Sequence, residues 1–161
     1  MPEHEFLRWR SSLDDWWLLF DGASKGNPGK AGGGGILLEP NGSTKLTFAW
    51  GLGHASNNQA EFLALWQGIN QALKLGINKI KIAGDSKQVV DAINLNKPPK
   101  DMRLAQLHKK IRILLDQIQE YKVYHVLRGL NRDADIEANR GSLQIKGQII
   151  INEVISFHLI P

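Results

Sequence analysis

The 161-residue chain has no cysteine, and no uninterrupted apolar stretch approaches the roughly 18 to 20 residues of a membrane span. The first absence removes disulfides, thiol nucleophiles and thiolate metal ligands. A metal site here must be built from oxygen ligands and five scattered histidines, which favours a hard ion such as Mg²⁺ or Mn²⁺. The second absence leaves no reason to place the chain in a membrane, and MPEHEFLRWRSS at its start lacks the apolar segment of a secretory signal. The expected location is intracellular, cytoplasmic or nuclear. Aromatic residues are few, at 7%, and do not interleave with basic ones, so a stacking platform for single strands is not indicated. A formal charge of +4 leans modestly toward polyanionic partners without identifying one.

What is present fits one domain, long enough to bury a core without covalent staples. Residues 1–15 mix charges of both signs without periodicity and read as a poorly anchored leader. The domain proper is expected over 16–141. WWLLF, ending at Asp21 and Gly22, reads as a buried central strand. GASKGNPGKAGGGG is rich in turn chemistry, and the tetraglycine at 32–35 either allows close backbone approach or marks a bulge. A strand is expected over 36–39, a hairpin at Asn41 and Gly42, and a returning strand over 44–50.

Phe62, Leu65, Trp66, Ile69, Ala72 and Leu73 recur at helical spacing, with Gly76 as the stop. Residues 79–83 read as a strand, SKQVVDAINL as a second helix, and Leu104 to Ile118 as the apolar face of a third. A fifth strand over 121–128 and a short helix over 131–140 complete the order βββαβααβα. This is an α/β or α+β fold with a five-stranded mixed sheet, antiparallel at its start and crossing over through helices afterward. Residues 142–161 form an extension, an extra strand or a hairpin turning near Asn152 and Glu153. A monomer is expected, with that extension the one obvious route to pairing with another chain.

Four acids stand at strand ends or helix starts: Asp21, Glu61, Asp85 and Asp135. Singly, each reads as a turn residue, a cap or a helix acid. Together they read differently. Asp21 ends the most apolar strand and Asp85 the other candidate core strand, so parallel pairing would bring both to one carboxyl edge, where α/β sheets collect ligand groups. Carboxylates gathered from distant parts of a chain repel unless a cation lies among them, so the set reads as a divalent-metal site.

The segments LLFDGASKGNPG, SNNQAEFLAL, IKIAGDSKQVV and NRDADIEAN, in this order, resemble type 1 ribonuclease H from about Trp16 to about Gly141. The resemblance implies the ribonuclease H-like fold and hydrolysis of the RNA strand of RNA/DNA hybrids without strong sequence preference. It implies two Mg²⁺ ions, with Mn²⁺ able to substitute, bridged by Asp21 and flanked by Glu61 and Asp85 on one side and Asp135 on the other. Asn27, Asn57 and Asn58 match the family's minor-groove contacts, and Ser56 and Asn131 its DNA-phosphate pocket.

Many members carry a histidine in the loop before the last helix. Here that loop shrinks to Arg128, Gly129 and Leu130, as in archaeal members and plant retroelement domains, and Arg128 is the candidate to assume part of the histidine's role. Two alternatives stand beside this reading. One is a DNA-cutting enzyme of the same fold, such as an integrase or resolvase, against which SNNQAE and GNPG argue. The other is a weak or inactive nucleic-acid-binding module of retroelement origin. The basic run from Lys97 to Arg112 is either a phosphate-gripping face or a solvated helix surface, the latter slightly favoured.

Overall fold

The structure is a computed structural model describing Arg8 and residues 14–161. The expected leader, 1–15, falls outside the described residues except for Arg8, Asp14 and Asp15. The described elements run β1 (Trp16–Lys25), β2 (Gly29–Leu38), β3 (Thr44–Ala55), α1 (Asn57–Lys74), β4 (Lys79–Gly84), α2 (Lys87–Asn94), α3 (Met102–Leu115), β5 (Glu120–His125), a 3-10 turn (Arg128–Asn131), α4 (Arg132–Ser142), β6 (Gln148–Ile151) and β7 (Val154–Phe157). The expected α+β order holds through α4.

The sheet is larger than expected. Among the described residues it has seven strands in the order β5-β4-β1-β2-β3-β6-β7, not five. The extra two arise because β3 would otherwise leave an open row of N–H and C=O groups, and residues 148–157 form a hairpin that pairs antiparallel along it, Trp50 against Ile149 and Phe48 against Ile151. Asn152 and Glu153 make the two-residue turn, both in the left-handed region at φ 48° and 65°. Arg140 on α4 reaches Glu137 and Glu153 at 3.1 and 3.2 Å, tying that turn to the helix.

One face of the sheet carries α1, α2 and α3 over a core that includes Leu18, Phe20, Phe48, Trp50, Phe62, Leu65 and Ile82. The other carries α4, with Ala134 and Leu130 over Trp17, Leu19, Ile36 and Leu38. Ser56 starts α1 with reciprocal bonds to Gln59, and Asp101 caps α3 by accepting from Leu104 N–H. Helix α3 stops at Leu115, short of Ile118, which is buried beyond its end.

The tetraglycine is part of β2, which starts at Gly29 and not at Ile36. Close approach explains it. A Cβ on Gly34 would lie 2.2 Å from Ala138 N, and one on Gly32 would lie 2.1 Å from Ser142 N, so α4 rests directly on the strand's backbone. On the opposite face a Cβ on Gly33 would press on Ala64 of α1 at 3.3 Å. A register shift at Ala31 and Gly32 adds a bulge within the same tract.

Gly34→Ala is therefore expected to destabilise the fold by about 3 kcal/mol or more, the upper range of overpacking, because helix backbone has no flexible end to yield. Urea unfolding measures this, and a loss below about 1 kcal/mol would contradict the close-packed arrangement.

Candidate active site

Parallel pairing of β1 with β4 places Phe20 opposite Gly84, so the next residues, Asp21 and Asp85, stand side by side where β4 ends, while β1 continues past its expected end at Asp21 to Lys25, held by β2. Glu61 reaches them from α1, one turn inside the helix. That approach depends on Gly22, where a Cβ would lie 2.4 Å from both Ala60 C and Glu61 N. A ligand oxygen from each of Asp21, Glu61 and Asp85 lies within 4.8 Å of the others.

Asp135 is outside this tight group, because it rides on α4 across the sheet, yet it lines the same cleft of about 510 Å³ and lies close enough to hydrogen-bond Asp21. The 3-10 turn puts Arg128 in the cleft wall, where its charge opposes those of Glu61 and Asp85. His125 is exposed on β5 with Nε2 3.3 Å from the Asp85 carbonyl oxygen, a brace for the strand end.

Burial pushes the Asp21 carboxyl up to about 11, reinforced by its bond to Glu61 and by the charges of Glu61 and Asp85. Burial also raises Glu61, to about 7, against lowering contributions from Asp21, the Gly22 N–H and Arg128. Asp85 is raised too, again chiefly by burial. Glu61 Oε2 is buried with no hydrogen-bond partner. An orphaned carboxylate oxygen beside two crowded acids is a donor set that fits a hard divalent cation.

The other candidates separate. Asn57, Asn58 and Arg128 line the cleft. Asn27 does not; its Oδ1 accepts from Asn57 N–H at 2.9 Å, while Asn57 Oδ1 accepts from Ser24 N–H at 3.0 Å, so the two asparagines join the turn after β1 to the start of α1. Ser56 and Asn58 line a second groove of about 720 Å³ with His54, Lys100 and Arg103. Asn131 is fully buried and donates from Nδ2 to the Phe20 carbonyl at 2.8 Å, so its side chain anchors the 3-10 turn to β1 and does not open on either groove.

Sequence reading missed Lys25 and Asn139, whose side chains meet across the cleft, Lys25 Nζ donating to Asn139 Oδ1. Asn139 stands four residues after Asp135, one helical turn along the same face, and that spacing was the available signal.

A family model described as reverse transcriptase-like matches residues 19–141. Over 124 residues the chain is 37% identical to ribonuclease HI of Halobacterium salinarum, covering 74% of this chain and 60% of that protein. The crystal structure of RNase H1 from that archaeon superposes with a TM-score of 0.75 at 33% identity, covering 78% of this chain and 96% of the other. A ribonuclease H of Stutzerimonas stutzeri is 31% identical over 153 residues, covering 86% of this chain and 99% of that protein. The chain belongs to the ribonuclease H family. It spans less than two thirds of the Halobacterium protein and 33% of a bifunctional protein of Mycobacterium tuberculosis to which it is 35% identical. No helix among the described residues is long and apolar enough to cross a membrane.

The raised carboxyls set a pH dependence. They hold protons in the folded chain that the unfolded chain releases near 3.8 and 4.5, so their contribution is fully present below those values and is lost as the pH rises through about 7 for Glu61 and higher for Asp21. In EDTA the melting temperature is expected to fall from about pH 5 to about pH 8, to recover at the upper end with millimolar Mg²⁺, and to fall less steeply in Asp21→Asn. A flat EDTA profile would contradict the crowding of these acids.

Proposed function

We propose that this chain is an endoribonuclease that hydrolyses the RNA strand of RNA/DNA hybrids without strong sequence preference, using two Mg²⁺ ions for which Mn²⁺ can substitute. The observation carrying this is the convergence of Asp21, Glu61 and Asp85 at one sheet edge with Glu61 Oε2 unpartnered. Relatives that align along most of the matched region are ribonucleases H, which supports the same activity here.

Asp21, Glu61, Asp85 and Asp135 would hold the ions. Bound there, divalent cations supply an activated water and neutralise charge growing on the leaving 3′ oxygen. Asp21 is central, with Glu61 and Asp85 on one side and Asp135 on the other. The sheet hydrogen bonds of β1 and β4 keep the first and third carboxylates in place without reorganisation.

Arg128 offers a guanidinium to the phosphate being cleaved, a place where planar fork geometry is useful. The wide minor groove of a hybrid displays 2′ hydroxyls, which the short carboxamides of Asn57 and Asn58 can test without reading sequence. Asn27 supports them from behind through Asn57. Ser56 lines the second groove and would contact the DNA strand there, whereas buried Asn131 would serve the site by anchoring the turn that carries Arg128. The assembled acids favour turnover over the reading of a binding module.

The test is cleavage of end-labelled hybrid beside double-stranded RNA and double-stranded DNA, with Mg²⁺, Mn²⁺ or EDTA. Metal-dependent cutting of the hybrid's RNA strand alone is expected, with Asp85→Asn reducing it more than about a hundredfold, the upper scale for damage to a metal site. Binding of the hybrid without cutting under either metal would reject the enzyme. Arg128→Ala is expected to lower turnover about tenfold or more with a smaller change in hybrid affinity, as removal of a group that stabilises developing charge should. Equal losses in both would contradict that role.

A further inference from the structure

Pairing of cations divides this surface. Lys79, Lys81, Lys87 and Arg140 each sit within 4.0 Å of a carboxylate. Around the second groove and the pocket beyond it, His54, Lys100, Arg103, Lys110 and Lys146 have no carboxylate partner among the described residues. Asp101 also lines the groove, but its Oδ1 is engaged at 3.0 Å by the Leu104 N–H as the cap of α3.

The three depressions adjoin one another, sharing wall residues. Asn58 belongs to both the catalytic cleft and the second groove, and His54, Gln59 and Arg103 belong to both that groove and a pocket of about 220 Å³ that Lys110 and Lys146 also line. Arg103 and Lys110 are seven residues apart, on one face of α3 and about 10 Å along its axis, roughly three nucleotide steps at 3.4 Å each.

Lys146 arrives from the extension, beyond the family-matched residues 19–141. Its place is built. A Cβ on Gly53, at φ +70°, would lie 3.0 to 3.3 Å from the aliphatic stem of Lys146, so the stem lies along that glycine. Gly147 N–H donates to Gly51 O at 2.8 Å and fixes the turn next to it.

We propose that the C-terminal extension lengthens the substrate track, with Lys146 joining Arg103 and Lys110 of α3 to grip backbone phosphates of the hybrid beyond the second groove. This rests on the hybrid-hydrolase reading and adds to it a contact surface that residues 19–141 do not complete. The alternative of a merely solvated basic face predicts that removing these lysines weakens binding no more than removing two surface lysines elsewhere.

The experiment is fluorescence-anisotropy titration of the full chain, in EDTA so that nothing is cut, with a labelled hybrid of about 20 base pairs over a range of salt. Lys110→Ala with Lys146→Ala is expected to reduce the slope of log affinity against log salt by about two, roughly one per lysine, and to weaken binding at least tenfold near 0.1 M salt. The matched pair Lys110→Arg with Lys146→Arg is expected to retain affinity. Lys45→Ala with Lys122→Ala removes the same charge elsewhere on the sheet. A loss from the first pair no larger than that from the control pair would overturn the track. Failure of the unsubstituted chain to bind hybrid at any salt would instead overturn the proposed function, and the track with it.

Discussion

The crowding of three carboxylates, two of them buried, is the constraint around which this molecule is organised. At about 4 Å, two unit charges near a protein surface repel by roughly 4 kcal/mol, and here three acids meet within 4.8 Å. No flexible loop would hold such a set. Two of the acids leave adjacent hydrogen-bonded strands, and the third stands on a helix that Gly22 admits against the first strand. The protein tolerates the crowding by taking up protons or, on the proposed reading, cations. A site of this kind costs stability in the metal-free chain, the familiar trade between a strained functional centre and a relaxed fold.

The glycine tract serves the same end from the other side of the sheet. With α4 resting on the backbone at Gly32 and Gly34, Asp135 and Asn139 are carried up to the cleft, and Arg140 is carried to the turn of the C-terminal hairpin. One helix thus couples the edge that carries the clustered acids to the extension. The hairpin in turn covers the free edge of β3 and delivers Lys146 to the far end of the groove system.

Much of this was legible in the residues, for physical reasons that differ from element to element. The apolar runs WWLLF and KIKIA each lead into an acid, and parallel pairing of the two strands puts those acids side by side, so the meeting of Asp21 and Asp85 could be foreseen, although β1 does not stop at Asp21 as expected but runs on to Lys25 beside β2. Turn chemistry was equally direct at Asn41 and Gly42, where Gly42 adopts a positive φ. The tetraglycine was ambiguous because periodicity carries no signal when side chains are absent; the helices seated on both faces of the strand explain it. The seven-stranded sheet was hidden because pairing of β6 with β3 is a contact between residues about 100 apart, which no local pattern encodes. Asn131 was expected in a DNA-phosphate pocket from the resemblance alone, and its burial follows from the 3-10 turn that folds it under β1.

The central claim is that Asp21, Glu61 and Asp85 form a cation site. Anomalous diffraction from crystals grown with Mn²⁺ examines it without reference to turnover. The account predicts a peak in contact with all three carboxylates, including the otherwise unpartnered Oε2 of Glu61. Crystals that hold Mn²⁺ elsewhere while this cleft stays empty at saturating metal would contradict it.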